Sequence, residues 1–225
     1  MIPEVKNREM FDIWGSLYSE ININICFVDE EKWFNTIFPK IINYYTDKNR
    51  YYHNIDHIKD MLNHLNKDFK ENLSKKQIII LKLSIIFHDI IYDPTQKDNE
   101  KQSAEFAFEY LKDALVDDVT CNEVYDNILK TQYHLNVKPE NHIQEILIDL
   151  DLRGFGTDTY WINGFLFRKE FSHLTDDEWF KGRIKFLENF IDSDIYQTEL
   201  YRNKYEDKAK NYMKQELNNL KNKYG

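Results

Sequence analysis

The stretch Ser74-Lys75-Lys76-Gln77-Ile78-Ile79-Ile80-Leu81-Lys82-Leu83-Ser84-Ile85-Ile86-Phe87-His88-Asp89-Ile90-Ile91-Tyr92 decides the fold. From Ile78 to Tyr92 it is the most apolar run of the chain, broken by Lys82, Ser84, His88 and Asp89. Drawn as a helix, it carries apolar residues on all faces, and such a helix belongs at the centre of a ring of others. Ser74 has the side chain of an N-cap, which predicts a helix from there to about Ile91. The run is too short to span a bilayer.

The same period recurs on either side. Trp33, Ile37, Ile41 and Tyr45 form one stripe, with Pro39 expected to kink or break it. Ile58, Met61, Leu62 and Leu65 form another. Thr120 with Glu123, and Thr175 with Glu178, have capping-box spacing and predict two further helix starts. Leu147, Leu150, Leu152 and Phe155 fit a helix ending near Gly154 or Gly156. No period-2 strand stands out, and six Gly and four Pro are few for the turns a sandwich or barrel needs. The expectation is an all-α single domain over residues 1–225, with roughly eight to ten helices. Its core would cover about residues 30–195, followed by a long polar helix over about 198–224.

Composition narrows the function classes. Thirty basic against 39 acidic residues give a net charge of -9, a surface that repels long nucleic acid. A small phosphorylated substrate stays open, because a metal and a few local cations can offset the global field. A mean hydropathy of -0.68 points to a soluble protein without a membrane partner. Cys26 and Cys121 lie in no metal-type spacing and fit a reducing compartment, so a cytoplasmic location is expected. Oligomeric state is left open.

Chemistry concentrates where polar residues interrupt apolar ones. His53 and His57 lie in Arg50-Tyr51-Tyr52-His53-Asn54-Ile55-Asp56-His57-Ile58 and would share one face if that stretch is helical. His88 and Asp89 end the most apolar helix, where a carboxylate is costly unless paired or bound to metal. Asp149 and Asp151 sit among aliphatics in Ile148-Asp149-Leu150-Asp151-Leu152. On a helix, positions i and i+2 point about 200° apart, so only one of the two can face a given site. Imidazole and carboxylate ligands together suit a divalent cation such as Mn, Mg, Fe, Co, Ni or Zn.

A His, then a His-Asp pair about thirty residues on, then a distant Asp resembles the ligand pattern of the HD superfamily. The opening Tyr52-His53-Asn54 with His57-Ile58 is also similar to the first motif of cyclic-nucleotide phosphodiesterases. The resemblance is strongest to bacterial HD-superfamily proteins described as predicted metal-dependent phosphohydrolases. It extends through Phe87-His88-Asp89-Ile90-Ile91-Tyr92-Asp93, Asp98-Asn99-Glu100 with Ser103-Ala104, and Thr131 with His134. It continues through Asp149, Asp151-Leu152 with Gly156, Arg168 with Glu170, Arg183, and Ala209 with Asn211. Two departures stand out. Phosphodiesterases place another His after their His-Asp, where this chain has Ile90-Ile91-Tyr92-Asp93, and Gly154 stands where a larger residue is usual.

The resemblance implies a metal held by His57, His88, Asp89 and Asp151, with Asp149 a neighbour of the ligands or a helix-end partner. It implies hydrolysis of a phosphomonoester or phosphodiester of a small, nucleotide-type substrate, with His53 as general acid and Asp89 in the catalytic set. His134, Glu100, Arg50, Lys97 and Lys101 are candidates for the substrate or a second metal. Arg168 and Arg183 are expected to be structural. The aromatic stretch Tyr160, Trp161, Phe165, Phe167 and Phe171 reads as core or interface. Two alternatives remain: a di-iron oxygenase on the same scaffold, and a nucleotide-binding protein without turnover.

Overall fold

The computed structural model describes residues 7–133 and 138–224. It is all-α, with no strand among the described residues. The chain divides into two compact units, Met1–Gln132 and Tyr133–Gly225.

The first unit contains α1 (Arg8–Asn24), α2 (Glu30–Lys32), α3 (Phe38–Tyr45), α4 (Ile55–His64), α5 (Lys75–Phe87), α6 (Asn99–Asp113) and α7 (Asp118–Lys130). Helix α5 packs against α1, α4, α6 and α7. Every residue of α5 from Ile78 to Phe87 is buried except Lys82. Each large aliphatic so enclosed contributes about 1.5–3 kcal/mol, which makes α5 the axis of the unit. Ser74 caps it in a full capping box with Gln77. The polar breaks all have partners: Lys82 Nζ donates to both Glu20 oxygens at 2.8 Å, and Asn127 Nδ2 donates to Ser84 Oγ at 3.3 Å.

The helix stops at Phe87 rather than near Ile91. A further turn would send the Ile90 and Ile91 amides to carbonyls four residues back, but Ile90 N–H goes to Phe87 O and Ile91 N–H to Ser103 Oγ. Arg50 donates to the Asp89 and Ile90 carbonyls, while Ser103 Oγ accepts from Ile91 N–H and donates to Ile91 O. His88 still donates its N–H to Ser84 O in helical fashion, and the chain leaves the helix after it.

The Trp33 to Tyr45 stripe is buried as the periodicity predicts. Pro39 does not break it, because a π-helical segment over Trp33–Ile37 continues directly into α3. Phe38 N–H reaches back five residues to Trp33 O, so the wider turn leads into the first turn of α3, where Pro39's missing N–H is tolerated. Trp14 of α1 stacks on Trp33, with ring centroids 3.9 Å apart, and each indole N–H donates to the other's carbonyl. Helix α7 starts earlier than the Thr120–Glu123 spacing predicts. Asp117 is its cap, accepting from Thr120 N–H at 3.1 Å, and Thr120 is buried inside the first turn.

The second unit contains α8 (His142–Leu152), α9 (Tyr160–Glu170), α10 (Asp176–Ile191) and α11 (Glu199–Tyr224). Asn141 caps α8, and Thr175 with Glu178 form the expected box on α10. Helix α8 ends at Leu152 and tightens into a 3-10 turn, Arg153–Gly156. The thin apolar stripe of α11 is Tyr201, Tyr205, Ala209 and Met213, all buried. Arg183 pairs bidentately with Glu216, and Arg168 donates to the Phe171 and Leu174 carbonyls and to Asp176. Both arginines therefore serve the packing of this unit. Trp161 and Phe165 are exposed.

Candidate metal centre

In the first unit, His57, His88 and Asp89 converge, each offering a ligand atom within 4.8 Å of the others. His57 comes from the first turn of α4, which Asn54 starts by accepting from Asp56 N–H at 2.8 Å. His88 and Asp89 come from the turn that ends α5. The His57 and His88 rings lie 5.6 Å apart, and His88 Nε2 lies 3.0 Å from Asp89 Oδ2.

The tautomer of His88 follows from its other nitrogen. Nδ1 sits 2.9 Å from Ile85 O, and a carbonyl only accepts, so Nδ1 carries the hydrogen. In the neutral ring, Nε2 then presents a lone pair toward a carboxylate oxygen, in a residue that is 1 % exposed. Two lone pairs at that separation repel unless a cation, a proton or a metal ion, lies against both. This donor set of two imidazoles and a carboxylate fits a divalent metal, with the backbone carbonyl orienting the ring as metal-bound histidines require.

His53 lies outside α4, because the cap at Asn54 begins the helix one residue later. The helical relation of His53 to His57 is thus absent, yet the bend over 51–54 still brings the rings to 6.0 Å. Tyr92 packs on His53 at 4.3 Å and Tyr52 on His57 at 5.2 Å. Both tyrosines stand inside the motifs read from the sequence, but neither has a spacing that signals a role.

The remaining candidates are placed as follows. Arg50 is buried, with its guanidinium on backbone carbonyls. Glu100 is half-buried in the first turn of α6, next to exposed Lys101, which pairs with Glu105 at 3.7 Å. Lys97 is exposed, and its carbonyl accepts from Gln132 Nε2. His134 lies outside the described residues.

In the second unit, Asp149 and Asp151 diverge as their spacing predicts. Asp149 is fully buried and accepts from Gln197 N–H, Thr198 N–H and Thr198 Oγ–H. Asp151 is half-buried on the other side of α8. No helix among the described residues is long and apolar enough to cross a membrane. No family model matches the chain, and no curated protein or solved structure does either.

Proposed function

We propose that the protein is a metal-dependent phosphohydrolase of the HD type, in which His57, His88 and Asp89 hold a divalent ion, with Asp151 as the further ligand that the sequence resemblance implies. The observation that carries this reading is the convergence of His57, His88 and Asp89, with His88 Nδ1 on Ile85 O and Nε2 facing the Asp89 carboxylate at 3.0 Å. A bound divalent ion supplies Lewis-acid charge and acidifies water toward neutral pH. Around it, His88 is held in one tautomer by Ile85 O. Asp89 brings two oxygens, of which one faces His88. His53, half-buried against Tyr92, holds a proton for a leaving oxygen. The substrate is a small phosphate ester of nucleotide type, handled in the cytoplasm; the net charge of -9 disfavours a long polyanion.

The test is metal content together with phosphate release from a nucleotide panel, with Mn, Mg, Co, Ni and Fe supplied in turn. Metal-dependent release that disappears in Asp89→Ala supports the reading. His53→Gln should keep the metal and slow turnover by roughly 10²–10⁴-fold. Purified protein that binds no divalent metal would overturn the whole proposal, and bound metal with no turnover of any phosphate ester would overturn the hydrolase part.

A further inference from the structure

Arg50 sits where the two halves of the ligand pattern meet in the first unit. Its Nη1 donates to His53 O at 3.3 Å and to Asp89 O at 2.6 Å, and its Nη2 donates to Ile90 O at 2.7 Å. The guanidinium also lies over the Tyr45 ring at 5.0 Å and the Tyr92 ring at 5.7 Å. All three acceptors are main-chain atoms. One belongs to the bend that leads into α4 and His57, and two belong to the turn that carries His88 and Asp89.

We infer that Arg50 is a positioning residue for the metal centre: it fixes the bend at His53 to the turn at Asp89 and so sets how tightly the centre binds metal. The inference rests on the metal-centre reading above. Its physical basis is the shape of the guanidinium. A planar fork can reach the adjacent carbonyls of Asp89 and Ile90 with two nitrogens while its faces stay on aromatic rings. Lysine keeps the charge but has a single tetrahedral nitrogen, so it cannot hold both carbonyls and the rings together. Removing the fork frees the turn whose backbone aims Asp89. Outer partners of this kind typically change metal affinity by about 10–100-fold.

The experiment is titration of chelator-stripped protein with manganese alone, following heat, for wild type, Arg50→Lys and Arg50→Gln. Val124→Ala, a cavity variant in α7, serves as a control of lowered stability. Arg50→Lys should fold and bind manganese about tenfold or more weakly, and Arg50→Gln should do no better. Val124→Ala should keep wild-type affinity although its melting temperature falls. Lysine and glutamine variants that bind like wild type would overturn this inference alone, and so would a Val124→Ala protein weakened as much as they are. Wild-type protein that binds no manganese or any other divalent ion would instead remove the metal reading beneath it.

Discussion

Asp149 holds the start of α11 through Thr198, 49 residues away: its carboxylate accepts the Thr198 Oγ–H at 2.6 Å and the Thr198 N–H at 2.8 Å. Gln197 N–H adds a third bond at 2.6 Å, and Thr198 Oγ in turn accepts from Tyr201 N–H. A buried carboxylate with three donors closes the helix end and leaves this side chain no part in metal binding. Asp149→Asn should therefore cost about 2–3 kcal/mol in urea unfolding, since a charge-assisted acceptor is replaced by an amide whose donors face donors. Its metal content should equal wild type, whereas Asp151→Asn should lose metal with little change in stability. Loss of metal in Asp149→Asn but not in Asp151→Asn would reverse the assignment.

That Asp149 and Asp151 point apart is legible in the sequence, because helical geometry alone turns i and i+2 away from each other. The stripes of α3, α4 and α11 are legible for the same reason. What the sequence hides is set by partners distant along the chain. The stop of α5 at Phe87 depends on Arg50 and Ser103 capturing carbonyl and amide groups, and no local pattern announces that. The placement of His53 outside α4 turns on which of several polar residues caps, and Asn54 does so. Asp117 likewise displaces Thr120 because a start there lets Thr120, Cys121, Val124 and Ile128 all face inward.

Gly156 ends the turn after α8 against the backbone of α11. A Cβ built there would lie 2.6 Å from Tyr205 Cβ and 2.9 Å from Tyr205 O, distances that side-chain rotation cannot relieve. Gly156→Ala should destabilise the protein by about 3 kcal/mol or more, because α11 must shift to admit one methyl group. Gly164→Ala, where nothing lies within 4 Å of the new Cβ, should be neutral or slightly stabilising. Melting curves of the two variants decide the matter, and equal melting temperatures would refute the close packing.

The two thiols should separate by reactivity. Burial pushes Cys121 up to about 12, and it also raises Cys26, which is only half-buried. The thiolate is the nucleophile, so a raised value leaves little of it near neutral pH. Native protein treated with iodoacetamide at about pH 8 should gain one label, at Cys26, with a rate rising about tenfold for each unit of pH below its titration point. Cys26→Ser should take up none until urea exposes Cys121. Peptide mass spectrometry reads both outcomes, and early labelling of Cys121 would contradict its burial.

Metal should also act on stability, with His88 as the discriminating residue. With Nδ1 bonded to Ile85 O, Nε2 faces the Asp89 carboxylate at 3.0 Å, where a cation can lie against both. A divalent ion held there would bind only the folded chain. At a hundredfold excess over the dissociation constant, linkage gives about 2.7 kcal/mol of added stability, a rise of about 5–11 degrees in melting temperature for a chain of this length. His88→Ala removes one of the proposed ligands. Its melting temperature should then stay fixed as manganese is added, while wild type climbs. A variant that still climbs like wild type would show that His88 does not hold the ion.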